Sequence, residues 1–554
     1  MVWLSPVRRL RNIKRRIIRP KADFFWLSLD FIPPERPVKV PLLRRQIEPP
    51  PPLSIAELQQ TLDRLGKDES NKGVILEIQT GAPFATAQSV IDHLKVFQNQ
   101  NKEVITFATS YSLLTYWLAS IGSQVTVQNQ GVLWIKGLYS SLPFMADFLK
   151  KCGLQFEKIA VSPYKSSLDE LARSDIAPEA KENRKALFKS LFDTFVQDIA
   201  SNRNLPEEQV LDAIDQAPLS AEQAVERKLI DRQVSPEGLP RLLGTPNKPA
   251  RVRSYAVASR ATLIPPKPSM KKTIAVIPVC GVIVDGKSRE LPPRILSPFE
   301  TKQAGDHTIV PLIRRALASP RVAAAVLHVN SRGGSVTASE SIRLALQAFA
   351  SHKPLVAYLS NVATSGGYYI ATPASYIVAQ PQTITGSIGV LNGKFNFQGF
   401  LENQQIKATE FKMGKRADWL QPTKPFGDEE RRILTEQLAY FYDHFLKIVA
   451  DSRDLEKDYL RESLAGGRIW TGRQASEHKL VNQLGNLQTA IFKVRELAGL
   501  KLNSGVITIQ PAKKSIVPLG FRGIELSEYS LFFQNLARTQ LWMIEPDIPF
   551  LNSY

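Results

Sequence analysis

The chain repeats itself. Val74-Ile-Leu-Glu-Ile78 matches the apolar run Ala325-Val-Leu-His-Val329 at an offset of 251, and Tyr116-Trp-Leu-Ala119 matches Tyr368-Tyr-Ile-Ala371 at 252. Ile199-Ala-Ser-Asn-Arg203 matches Val449-Ala-Asp-Ser-Arg453 at 250, and Gln223-Ala224 and Lys228-Leu229 match Gln474-Ala475 and Lys479-Leu480 at 251. A period this long implies a duplicated domain, because solenoid units recur every 20–45 residues or so. The 554 residues are also too many for one ordinary core, and 43% hydrophobic with 22% charged residues is enough to fill two.

Each half alternates short apolar runs with helical segments. Val74–Ile78 and Val104–Phe107 read as strands around a helix at 85–98; Val326–Val329 and Leu355–Tyr358 repeat the plan around 337–350. Strand–helix–strand units imply an α/β architecture with parallel pairing. Ser54-Ile-Ala-Glu57 is a capping box that starts a helix after the stiff Glu48-Pro-Pro-Pro-Pro52 run. Pro246, Pro249, Pro265, Pro266 and Pro268 mark a linker, followed by the buried-strand pattern Thr273–Cys280. The expected division is an arm at 1–21, a domain at 22–245, a linker at 246–272, a domain at 273–510 and a tail at 511–554.

The net charge is +19, and the arm supplies eight of those charges with no acid: Arg8, Arg9, Arg11, Lys14, Arg15, Arg16, Arg19 and Lys21. Trp3, Val7, Leu10, Ile13 and Ile17 form one helical face, ended by Pro20. A basic amphipathic helix suits an anionic membrane surface; a solvated terminus is the plainer reading. No motif points to nucleic acid. No segment reaches the ~18 apolar residues of a spanning helix, and the N-terminus lacks the order of a secretory signal. Cys152 and Cys280 make no disulfide framework, and no Cys/His spacing suits a metal. The expectation is a reducing compartment, cytoplasmic or peripheral to a membrane, with no cofactor or metal.

Three glycine turns carry the candidate chemistry: Asn330-Ser-Arg-Gly-Gly-Ser335, Ala363-Thr-Ser-Gly-Gly-Tyr368 and Thr385-Gly-Ser-Ile-Gly389. The first two fall between a strand and a helix, where paired glycines let a substrate backbone approach closely. A serine there, with an amide directly after it, has the layout of a nucleophile beside an oxyanion hole; a single Ser-Gly-Gly is more often a plain tight turn. The histidines (His93, His307, His328, His352, His444, His478) come with no Gly-x-Ser-x-Gly elbow. His328, Trp117, Tyr368 and Tyr369 read as core, and Glu429-Glu430 as a solvated helix face.

In this order the three turns resemble the signal peptide peptidase A family in its long, duplicated form, from about residue 70 to 490. Asn330–Glu340 looks like its first glycine motif, Ser365-Gly-Gly-Tyr-Tyr its nucleophile motif, Gly386–Gly389 its third, and Tyr164-Lys-Ser166 its lysine motif. The resemblance implies tandem Clp/crotonase-like domains, a serine endopeptidase acting on extended peptides or signal-peptide remnants, and a ring-like homo-oligomer, a tetramer. It makes Ser365 the nucleophile and Lys165 its general base. The N–H of Gly366, with Gly333 or Gly334, would hold the oxyanion; Ser387 would orient the amine or be an ordinary turn residue. At the repeat offset Ser365 falls on Leu113 and Lys165 on Ala417, two residues from Lys415, so each copy is expected to hold half of the dyad. Arg332 stands where the family usually has proline, and the spanning helix of some relatives is absent. Two other readings remain: a crotonase-like enzyme on acyl thioesters, and an inactive membrane scaffold.

Overall fold

Apolar runs bounded by turn residues become strands, and the parallel ones are buried on both faces. The computed structural model describes residues 6–17, 22–29, 32–37, 53–245, 247–255, 257, 268–290, 302–510 and 542–544. The chain divides into two compact units. One comprises residues 1–140, 188–269 and 550–554; the other comprises 141–187 and 270–549. The segment holding Lys165 thus belongs to the same unit as Ser365.

In the first unit Phe24–Leu29, Gly73–Ile78, Glu103–Ala108 and Gln124–Val127 pair in parallel. The helix Ile55–Gly66 starts at the Ser54 capping box as its sequence requires. Val252–Ser254, inside the proline-marked stretch read as a linker, adds a parallel strand to Phe24–Leu29. Three residues suffice there because the existing edge supplies their partners. The arm is helical over Pro6–Ile17, with Leu10 and Ile13 exposed. Trp3, Pro20, the 48–52 proline run and most of the tail lie outside the described residues.

The second unit holds the site. Its strands are β1 (Gln155–Ala160), β2 (Ser269–Cys280), β3 (Val282–Val284), β4 (Val322–Ser331), β5 (Gly333–Ser335), β6 (Leu355–Thr364), β7 (Ile384–Gly386), β8 (Leu391–Asn396) and β9 (Trp542–Ile544). β2, β4, β6 and β7 are consecutive parallel strands of one sheet. Alternate residues fill opposite faces: Ala325, Leu327 and Val329 enter one core, Ala324 and Val326 the other. A second sheet runs β3, β5, β9, β8, β1. β5 is followed by helix α1 (Val336–Ala350), and β6 by the short helix α2 (Gly366–Tyr369).

Two expectations change in detail, and His328 is core as expected. Glu430 does not face solvent: it is buried, accepts the Leu420 N–H at 2.6 Å and closes the capping box of Asp428–Arg453. Its position, third in that helix, makes it the partner of an orphan amide. Part of the predicted tail, β9, is a strand of the second sheet. His328 is buried and stacked on Tyr358, and burial pushes it down to about 4, so it stays neutral at pH 7.

In the first unit, Asp23 accepts the Arg251 N–H at 2.8 Å and its guanidinium at 2.9 and 3.1 Å. Arg251 holds the Asp23 carboxyl down to about 2. A depressed folded-state value means stability that is present at neutral pH and lost as pH falls from about 4 towards 2. Asp23→Asn is expected to cost about 1 kcal/mol near pH 7, since Arg251 is partly exposed. Urea titrations should show that difference shrinking across the acid window.

Candidate active site

Ser365 follows the last residue of β6, at φ 55° and ψ −118°, a conformation that costs energy for a residue with a Cβ. Its surroundings enforce it. The Ser365 N–H donates to the Gly386 carbonyl at 2.8 Å, and the Ser365 carbonyl accepts from Tyr369 N–H at 2.9 Å. This sharp strand-to-helix turn lifts the hydroxyl off the end of the sheet. Gly366 opens α2, so its N–H has no acceptor within the helix.

The first glycine turn lies beside it. A Cβ on Gly366 would stand 3.2 Å from Gly334 N and 2.7 Å from Ser339 Oγ. Gly333 gives its N–H to Ser331 Oγ at 3.1 Å. Gly334 sits at φ +151°, and a Cβ there would meet the Ile283 carbonyl oxygen at 1.9 Å. Only glycine allows β5 this close to β3.

Lys165 reaches the serine from the segment after β1. That strand pairs antiparallel with β8 from Gln155↔Asn396 to Ala160↔Leu391. Lys165 is 1% exposed. Its Nζ lies 2.7 Å from Ser365 Oγ, 2.8 Å from Ser387 Oγ and 3.0 Å from the Ser387 carbonyl. Ser387 is at φ 53°, and its N–H donates to the Arg468 carbonyl at 2.6 Å. The residues carried over from the resemblance therefore meet: Lys165, Ser365 and Ser387 are in hydrogen-bond contact, with Gly366 and Gly334 adjoining.

The first copy of the repeat lacks this arrangement. Leu113 is buried at the start of its helix, and Ser112 caps that helix by accepting the Thr115 N–H. Ala417 lies in an exposed irregular segment.

Sequence reasoning missed the residues that hold Lys165 in place. Lys158 donates to the Lys165 carbonyl at 2.6 Å and is paired with Asp169. Ser162 Oγ donates to the Gly466 carbonyl. Gly467, at φ +90°, packs against the lysine backbone: a Cβ there would stand 2.5 Å from Lys165 Cα. The Gly466-Gly467 pair was visible as a third glycine doublet, but nothing in its spacing tied it to a lysine 302 positions before Gly467.

The family model for "Peptidase family S49" matches residues 96–238 and 347–501. Protease 4 of Salmonella typhi is 30% identical over 454 residues, covering 79% of this chain and 71% of that protein. Protease 4 of Haemophilus influenzae is 27% identical over 482 residues, 82% of this chain and 75% of that one. The chloroplastic serine protease SPPA of Arabidopsis thaliana is 25% identical over 476 residues, 84% and 68% of the two chains.

Gly467→Ala is expected to push the Lys165 backbone away from the serine turn. The overpacking should cost about 1–3 kcal/mol. A crystal structure of the variant should show Nζ to Oγ opened beyond hydrogen-bond reach, and a melting curve should show the lost stability.

Proposed function

The chain belongs to peptidase family S49 and is a serine peptidase; from that premise we propose that it hydrolyses peptide bonds with a Ser365–Lys165 dyad, on signal-peptide remnants or other extended, unfolded peptides. The observation that carries this reading is the 2.7 Å contact between Lys165 Nζ and Ser365 Oγ, inside a buried site.

A serine hydroxyl needs a neighbouring base. Burial disfavours the charged form of an amine, so Lys165 is pressed towards the neutral state in which it can act. A neutral amine has two N–H groups and one lone pair. The two N–H groups are matched by Ser387 Oγ and the Ser387 carbonyl, which leaves the lone pair for the Ser365 O–H. Ser387 is thus a positioning residue.

As Ser365 Oγ bonds to the substrate carbonyl carbon, its proton passes to Lys165. The carbonyl oxygen takes the negative charge and is held by the N–H groups of Gly366 and Gly334. Lys165 then gives the proton to the leaving amine as the C–N bond breaks. Water, deprotonated by Lys165, attacks the ester and frees Ser365.

An extended substrate is supported by β5, whose outer edge already holds a strand of this chain, β9, in antiparallel register from Gly333↔Ile544 to Ser335↔Trp542. Main-chain pairing at such an edge reads backbone, not sequence. The near-constant spacing of equivalent elements supports a duplicated Clp/crotonase-like domain: Val132–Trp134 and Ile384–Gly386, Ala146–Lys151 and Gln398–Asn403. The basic helix Pro6–Ile17, with Leu10 and Ile13 outward, supports peripheral contact with an anionic membrane. No helix among the described residues is long and apolar enough to cross one. A homotetramer is the proposed assembly.

Ser365→Ala and Lys165→Ala, together with the volume-matched Lys165→Met, should each lower kcat/KM on an unfolded peptide by roughly 10³-fold or more, with melting temperature retained. Full activity in any of them would overturn the dyad. A serine-reactive phosphonate should label Ser365 in the parent chain and much more slowly in Lys165→Met, read by mass spectrometry.

A further inference from the structure

β5 consists of Gly333, Gly334 and Ser335. The glycines carry no side chain, and the Ser335 hydroxyl is spent on Asp285, which also accepts from Thr337. Backbone pairing along these three residues cannot tell one extended peptide from another. The residue before them can. Arg332 is partly exposed, and it has the only long side chain in the run Ser331–Ser335. Its backbone is fixed to the nucleophile turn: the Arg332 carbonyl accepts Thr364 Oγ1 at 3.2 Å, and Thr364 directly precedes Ser365. Ser331 pairs with Ala363 across β4 and β6, and its Oγ accepts the Gly333 N–H at 3.1 Å. Ser331, Gly333 and Thr364 are all buried, so the arginine side chain starts from a rigid mount at the rim of the site.

The strand already on this edge gives the register. Gly333 is opposite Ile544, Gly334 opposite Met543 and Ser335 opposite Trp542. In an antiparallel pair one strand advances as the other goes back. The position opposite Arg332 is therefore the residue after the one opposite Gly333. In this chain's own sequence Ile544 is followed by Glu545, with Asp547 two further on. Side chains directly opposite each other share a face of the sheet, and unlike charges there attract while like charges repel. A carboxylate also matches the planar fork of a guanidinium.

We propose that Arg332 is a specificity-determining residue, which selects extended peptides carrying Asp or Glu directly after the residue paired with Gly333. That acid lies on the C-terminal side of the substrate residues opposite the two glycines. A lysine or arginine in the same place is disfavoured. The glycine edge thus binds the backbone of any extended segment, and the arginine beside it sorts those segments by charge. This rests on the reading of the chain as a peptidase of extended peptides, and it names the class of peptide preferred.

The test measures binding and cleavage by the full-length chain. Three labelled peptides copy residues 539–548: one unchanged, one with Glu545→Gln and one with Glu545→Lys. Fluorescence anisotropy reads their Kd on the Ser365→Ala chain, so that no cleavage intervenes, and chromatography reads kcat/KM on the parent. The unchanged peptide should be favoured over the Glu545→Lys peptide by about tenfold at low salt, with the gap closing near ~1 M salt. Arg332→Gln, made in both backgrounds, should level the three peptides, and Arg332→Glu should reverse their order. Melting curves report whether each variant is folded, and Arg332→Gln carries the test if the charge reversal is not. No preference in the parent, or a preference that survives in the Arg332 variants, would overturn the role of Arg332 and leave the peptidase reading standing. Charge-selective binding without cleavage would uphold that role and overturn the proposed substrate class. Neither binding nor cleavage of any peptide would overturn both.

Discussion

The antiparallel ladder between β1 and β8 is the contact on which the site depends. It runs six residues on each strand and ends a few residues before Lys165. Without it the lysine would be tethered to the serine only through 200 positions of chain, and the entropy of closing that loop would have to be met by the site itself. With it, backbone hydrogen bonds fix the segment, and Lys158 and Gly467 set the last few ångströms. The amine is delivered by a strand and not by its own side-chain contacts, which suits the proposed reaction, in which it loses and regains a proton.

The same ladder explains how a chain with this sequence repeat supports one site. Each copy supplies what the other lacks: the serine turn survives in the second, the lysine segment in the first. At the matching positions stand Leu113, behind an ordinary capped helix, and Ala417, in an exposed segment. The compact unit carrying the site therefore borrows residues 141–187 from the first copy.

Close backbone approach is the second requirement. Gly334 lets β5 lie against β3, and Gly366 leaves room beside Gly334 N. Side chains at these points would separate the two amides that face the reacting carbonyl in the proposed reaction. The strained Ser365 conformation is tolerated because hydrogen bonds from both flanks over-determine it.

The sequence by itself determined the α/β class, the main strands and helices, the repeat and the glycine turns. Those follow from local periodicity, from glycine's freedom of backbone and from the likeness of one half to the other; Lys165 and Ser365 were singled out by the resemblance to a known family. It did not reveal Lys158, Asp169 or Gly467 as the supports of Lys165, or the burial of Glu430, or the strand at Trp542–Ile544. Each of these depends on which distant segment a residue meets, and no local pattern encodes that partner. Only the tertiary structure decided that the lysine and the serine share one compact unit: the β1–β8 pairing, between copies and not within them, turns two residues 200 positions apart into neighbours at 2.7 Å.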